Sequence, residues 1–206
     1  MKNCMHLVFV INGHNGAGKD EFVNQFIKAS EENGNHYRVS NISTIDLIKQ
    51  MITRPYLWDG KTKDEKSRQL MHDIKVAVDR YNGFSITSTI HRVEAFRKKN
   101  AFIRTVSFIH CREPEKINSL VALFNKNFPD KYMVGTILVK RDSNSIAKNY
   151  ADQSVDNYNY DITIDNNSTI EALYDKAKGI VELCDRLSGV DENTPAVSTI
   201  SDDGWY

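Results

Sequence analysis

The sequence predicts an α/β fold built on a parallel sheet, and three observations carry that prediction. Short apolar, β-branched runs alternate with longer segments of helical period. The first run, HLVFVIN at 6–12, is continuously apolar, as a strand buried on both faces must be. It leads directly into a glycine-rich turn, GHNGAGKD at 13–20, which opens an amphipathic helix.

Each element follows from its own pattern. Phe22, Val23, Phe26 and Ile27 recur at helical spacing and predict a helix over about 19–32 that ends near Gly34. HYRVSNIS (36–43) is a second, weaker strand, and a short helix is expected over 44–52. Thr62 and Glu65 have the spacing of a capping box. Leu70, Ile74, Val78 and Tyr81 would be the apolar stripe of the helix it opens. A further helix is expected over roughly 84–99, although SITSTI is rich in β-branched residues, which crowd a helix.

FIRTVSFIHC (102–111) is the third strand. Pro114 then stands at a first helical position, where its missing N–H costs nothing, and Ile117, Leu120, Val121 and Phe124 form the buried face. KYMVGTILVK (131–140) and YDITIDN (160–166) complete five strands. Ser168 and Glu171 repeat the capping-box spacing before a last helix striped by Ile170, Leu173, Ala177, Ile180, Cys184 and Leu187. From 189 to 206 periodicity stops, and four acids stand without a basic residue, so that stretch is expected to be a flexible acidic tail on a single domain spanning 1–188.

Composition excludes several classes. The 206 residues are 40% hydrophobic and 26% charged, enough for one globular core. Lys+Arg and Asp+Glu balance at 27 each, so no basic field invites nucleic acid. No stretch approaches the roughly 20 apolar residues of a membrane span. Cys4, Cys111 and Cys184 are too scattered for a metal pair or a disulfide framework, and they imply a reducing, cytoplasmic setting.

The chemistry is concentrated in the first turn. Gly13, Gly18 and Lys19 match G-x-x-x-x-G-K, with His14, Asn15, Gly16 and Ala17 inside the loop. Glycines let backbone N–H groups turn inward onto phosphate oxygens, the helix N-terminus adds its dipole, and the lysine supplies a point charge. Asp20 is the departure, because Ser or Thr normally follows the lysine and ligates Mg²⁺. The third strand ends in His110-Cys111-Arg112, with no Asp where a supporting Walker-B carboxylate is expected. Asp20 is therefore a candidate metal ligand in its own right, beside the plainer role of an acid favoured at a helix N-terminus.

GHNGAGKD, HCREPEKI and YDITIDNNST together resemble the P-loop kinases that carry G-K-D in place of G-K-S/T. These include phage deoxynucleoside monophosphate kinases, animal phosphomevalonate kinase and a set of bacterial and phage nucleoside or nucleotide kinase-like proteins. WDGKTKDEKSRQLMHDIK looks like the substrate-side helix of the last set. The likeness runs from about residue 6 to 187 and implies the P-loop NTPase, nucleoside-monophosphate-kinase-like fold. That fold is a five-stranded parallel sheet in the order 2-3-1-4-5, with helices on both faces and ligands at the carboxyl ends of its strands.

The resemblance also implies roles. Arg112 and Arg141 would act on the transferring phosphoryl group, with Arg112 also placed to hold an acceptor phosphate. The acceptor side would lie over about 44–99, with Asp46, Lys49, Arg68, His72 and Lys75 as candidate contacts; a solvated helix face explains the last three equally well. Asn166 falls where related kinases place a loop against adenine, although Asn166 and Asn167 also suit a turn.

The expected activity is ATP- and Mg²⁺-dependent phosphoryl transfer to a small phosphorylated acceptor, a (deoxy)nucleoside monophosphate first among them. The alternatives are another phosphorylated metabolite such as phosphomevalonate, or a nucleotide-binding regulator without efficient turnover. A GTPase is disfavoured, because NKNF (125–128) lacks the Asp of a guanine-specificity motif. No nucleic-acid or membrane partner is expected, and a homodimer is left open.

Overall fold

A computed structural model of the chain describes residues 6–34, 37–54, 57–62, 64–142 and 155–189. The expected acidic tail and Cys4 lie largely or wholly outside them. Five strands form one parallel sheet in the order β2-β3-β1-β4-β5. They are β1 (His6–Asn12), β2 (Arg38–Ser43), β3 (Thr105–His110), β4 (Tyr132–Lys140) and β5 (Ile162–Asp165). The helices are α1 (Lys19–Glu32), α2 (Asp46–Thr53), α3 (Glu65–Asn82), α4 (Phe84–Lys99), α5 (Pro114–Asn127) and α6 (Ile170–Leu187). This is the predicted five-stranded parallel architecture, with the predicted strand order.

β1 is the axis of the molecule, paired with β3 on one side and β4 on the other and buried at every residue. Its side chains alternate between two cores, as a strand must. Leu7, Phe9 and Ile11 join Phe22, Phe26, Phe108, Val139 and the buried face of α6 on one side. Val8 and Val10 join Ile90, Ile109, Ile117, Leu120 and Phe124, which come from α4, β3 and α5, on the other. Phe108 anchors the first core: it stacks on Phe9 at 5.7 Å and receives Phe26 edge-on at 5.1 Å. Such pairs contribute about 0.5–1.5 kcal/mol beyond the area they bury.

Local structure departs from the sequence pattern at three places. Thr62 does not cap α3. Its N–H and hydroxyl both donate to the Asp59 carboxylate, closing a turn, and Asp64 takes the cap by accepting from the Ser67 N–H at 2.8 Å. At α6, Thr169 rather than Ser168 is the cap and accepts from the Ala172 N–H. The capping-box spacing is present in both cases, but the residue next to the first helical one takes the role. The third difference concerns inward faces. Tyr81 is 87% exposed and Ile170 50% exposed, whereas Ser67 and Lys75 are the buried residues of α3.

Lys75 is buried because α3, packed against α2 and α4, turns that face towards the start of α5. Its ammonium meets Glu113 at 2.5 Å and Asp79 at 3.8 Å. Lys116 closes the group by donating to Asp79, and the Ser85 N–H and hydroxyl donate to the same carboxylate. Two cations and two anions thus neutralise each other in one partly dry cluster. Burial alone would push the Glu113 carboxyl up, but the Lys75 charge and hydrogen bond outweigh it and hold it below the usual range. Asp79 is likewise held down against its burial, by Lys116 and the Ser85 bonds.

Removing one partner of such a pair strands the other charge. Lys75→Ala is therefore expected to lower stability by about 3 kcal/mol in a denaturant titration at neutral pH. Because the folded carboxyls titrate below their unfolded values, their contribution is complete above pH about 4 and is lost as pH falls through the depressed values. The acid-side loss of stability should therefore be smaller in Lys75→Ala than in the natural chain.

Candidate phosphate-binding site

In a parallel sheet all carboxyl ends lie on one edge, and the glycine loop occupies that edge at its centre, between β1 and α1. Asn12, the last residue of β1, is fully buried and organises the surroundings. Its Oδ1 accepts from the Gly13 N–H at 2.8 Å. Its Nδ2 donates to the Arg112 carbonyl at 3.1 Å and to the Tyr160 hydroxyl at 2.6 Å. The Tyr160 hydroxyl in turn donates to the Val155 carbonyl at 2.9 Å, and burial pushes its pKa up to about 12. One amide side chain thus ties the loop to the end of β3 and to the segment before β5.

The loop's shape depends on glycine at two positions. Gly13 (φ 152°) lies against β4, and a Cβ there would fall on the Val139 carbonyl oxygen. Gly18 (φ 91°) is left-handed, and a Cβ there would fall on the Asn166 amide. Asn166 donates to the Ala17 carbonyl at 2.8 Å, so the residue expected near adenine braces the back of the loop. Asn15 and Gly16 form the exposed tip, while Ala17 is buried. Lys19 folds back over the loop and donates to the Gly13 carbonyl at 2.6 Å and the His14 carbonyl at 2.9 Å. Its charge is thereby held over the loop's backbone. His14 reaches sideways to Asp156, Nε2 to Oδ2 at 3.0 Å.

Asp20 points outward from the first turn of α1, its side chain 84% exposed. Beside it stand two residues that the motif did not single out. The Asn41 amide donates to Asp20 Oδ1 at 3.3 Å, and His110 Nε2 lies 2.7 Å from Asn41 Oδ1 and 3.5 Å from Asp20 Oδ1. His110, the last residue of β3, occupies the strand end where a carboxylate had been expected. Burial lowers its pKa, against the attraction of Asp20. Among the described residues no group of three or more His, Cys, Asp or Glu side chains is arranged to hold a metal ion.

The remaining candidates divide. Arg112 is half-buried beside the loop, its carbonyl held by Asn12. Arg141 is exposed just past β4, next to Asp142, whose N–H donates to Asn167. Asp46 accepts from the Ser43 N–H at 2.7 Å and from Arg92 at 3.1 Å, so it shapes the β2–α2 turn. Lys49 is half-buried on α2, and Arg68 and His72 are exposed on α3. Lys75, expected on their face, is instead buried and committed to Glu113. Cys111, buried beside that pair, has its thiol pushed up to about 12 by burial and is no nucleophile at neutral pH.

Sequence reasoning missed Asn12, Asn41, Asp156 and Tyr160. Asn12 had left one trace, a single amide ending an otherwise apolar strand. The other three lie in elements whose partners only the folded chain brings together.

No family model and no curated protein matches the chain. Solved structures align with it along most of its length. A mutant of the Mycobacterium tuberculosis APS kinase CysC aligns at 12% identity and a TM-score of 0.42, over 90% of this chain and 99% of that one. The same enzyme in complex with AMPPNP and APS aligns at 9% and 0.43, over 90% and 99%. The protein APE1195 aligns at 14% and 0.45, over 89% and 97%. Among the described residues no helix is long and apolar enough to cross a membrane.

Replacing Asn12 by Ala would orphan the bonds it makes to Gly13, Arg112 and Tyr160. A loss of about 1–3 kcal/mol in thermal or denaturant unfolding is expected.

Proposed function

We propose that the chain is an ATP- and Mg²⁺-dependent P-loop phosphotransferase that acts on a small phosphorylated acceptor, with a (deoxy)nucleoside monophosphate as the leading candidate. The observation that carries this reading is the Gly13–Lys19 loop at the carboxyl edge of a parallel sheet, with the Lys19 ammonium folded over it. Backbone N–H groups of the loop and of the first turn of α1 would cradle the donor's phosphates. Lys19 would exchange its carbonyl partners for the β- and γ-phosphate oxygens, a favourable trade because charge-assisted bonds to anions are the stronger ones.

The residues fit a magnesium ion of modest protein coordination. Asp20 offers an exposed carboxylate, a hard oxygen donor, at the mouth of the loop. Mg²⁺ commonly takes one or two carboxylates and fills the rest of its shell with phosphate oxygens and water, so a three-ligand cage is not required. When bound it would neutralise phosphate charge. The chain's own part is positional. Arg112, half-buried at the end of β3, would neutralise charge on the acceptor phosphate or on the group in transit, and exposed Arg141 would approach from the β4 side. Phosphoryl transfer draws mainly on such positioning and charge neutralisation, so no nucleophilic side chain is needed.

The acceptor would lie over α2 and α3, where Lys49, Arg68 and His72 remain candidate contacts. Lys75 would act there through Glu113 and the first turn of α5, since its ammonium is already paired. A second reading, a nucleotide-binding regulator with little turnover, is favoured by one observation, that β3 ends in His110 and not in a carboxylate.

ADP release from Mg·ATP against a panel of (deoxy)nucleoside monophosphates and phosphorylated metabolites tests both readings. Stimulation by one acceptor is expected; tight ATP binding with no stimulation would favour the regulator. Lys19→Ala should abolish transfer with an unchanged circular dichroism spectrum, and normal transfer by that variant would sink the assignment. Asp20→Ala should raise the Mg²⁺ concentration needed for half-maximal rate.

A further inference from the structure

His110 and Asn41 form a relay onto Asp20 that neither the loop motif nor the rest of the site accounts for. Three separate elements supply it: Asn41 from edge strand β2, His110 from β3 and Asp20 from α1. The chemistry of the three groups fixes its direction. A carboxylate only accepts, so the Asn41 amide must present Nδ2 to Asp20 Oδ1, as it does at 3.3 Å. That turns Asn41 Oδ1 towards the imidazole, and an amide oxygen also only accepts. His110 Nε2, 2.7 Å away, must therefore carry a hydrogen and donate it. The same N–H lies 3.5 Å from Asp20 Oδ1. Asn41 donates to Oδ1 while His110 holds Asn41 and stands close to the same oxygen, and neither engages Oδ2.

In the usual loop a Ser or Thr hydroxyl carries the metal role and an acid at the end of the neighbouring strand supports it. Here the acid is in the loop and the hydrogen-bond donors are on the strands. The polarity of the pair is reversed while its place in the fold is kept.

We propose that His110 and Asn41 are positioning residues that orient the Asp20 carboxylate, so that its second oxygen faces a divalent cation brought in with the nucleotide. This rests on the reading of Asp20 as a metal ligand. An exposed side chain at a helix terminus otherwise samples several rotamers, and a ligand that must be ordered on binding loses affinity in proportion. Hydrogen bonds from outside the coordination shell commonly change metal affinity by about 10–100-fold. The long 3.3 and 3.5 Å contacts here place the expectation at the low end.

The test is calorimetric and independent of turnover. The dissociation constant of a non-hydrolysable ATP analogue is measured with excess Mg²⁺ and with EDTA, and the ratio is the metal's enhancement of binding. Asp20→Ala should remove most of the enhancement; if it leaves the ratio unchanged, both the metal reading and this inference fall. Asn41→Ala, a change at an exposed edge position, should reduce the enhancement by about tenfold while affinity in EDTA stays as in the natural chain. His110→Ala should do the same, and His110→Gln, which keeps an N–H donor at similar reach, should recover much of the loss. If Asp20→Ala removes the enhancement but Asn41→Ala leaves it intact, Asp20 is a ligand without a relay and the inference is overturned. It is overturned as well if His110→Gln behaves as His110→Ala, because the effect is then one of packing.

Discussion

A strand buried on both faces can end in a polar loop only if its last groups find partners before they reach water, and Asn12 supplies those partners. It is the one amide at the end of an otherwise apolar central strand, and it is completely enclosed. Its oxygen takes the first N–H of the loop and its nitrogen takes the Arg112 carbonyl and the Tyr160 hydroxyl. An unpaired polar group at such depth costs about 1–3 kcal/mol, so satisfying all three at once holds the strand ends in one register. The loop's start, the arginine after β3 and the return into β5 are thereby fixed relative to each other. Gly13 then fits against the Val139 carbonyl because nothing larger would.

The electrostatics around this junction are arranged in two separate groups. Near the loop, Lys19 donates to two backbone carbonyls, Asn41 donates to Asp20, and His110 donates to Asn41. That half lies at the carboxyl edge of the sheet, around the loop. Behind it, Lys75, Asp79, Glu113 and Lys116 close on each other and leave no net charge. Burial makes that cluster costly to break, so it fastens α3 to the first turn of α5 directly beside Arg112.

Large-scale organisation was legible in the sequence because it depends on periodicity, which is a local property. β1 and α1 have the bounds that their apolar patterns required, and the five strands and six helices described above occur where alternation placed them. The loop was legible because its glycines are needed for backbone shape alone. Caps were less so: Thr62 and Ser168 had the spacing, but Asp64 and Thr169 had the adjacent position and the extended backbone. The inward face of α3 was legible in part, since Leu70, Ile74 and Val78 are half-buried. Leu70, Ile74 and Val78 looked like the core stripe, yet Lys75 is buried, because Glu113 lies nearly forty residues away and nothing local announces it. Asn41, Asp156 and Tyr160 were invisible for the same reason, since their meaning is entirely in their partners.

The position of His110 is where sequence and structure inform each other most. Along the chain, the end of β3 is notable for a missing carboxylate. In space, it is a donor to Asn41, which in turn donates to the carboxylate in the loop. A hydroxyl in the loop needs an acceptor on the strand; a carboxylate in the loop needs donors there instead, because two acids so close would repel each other and raise one another's pKa. The edge thus carries an acid in the loop and donors on the strands, the reverse of the hydroxyl-and-acid arrangement of the usual loop.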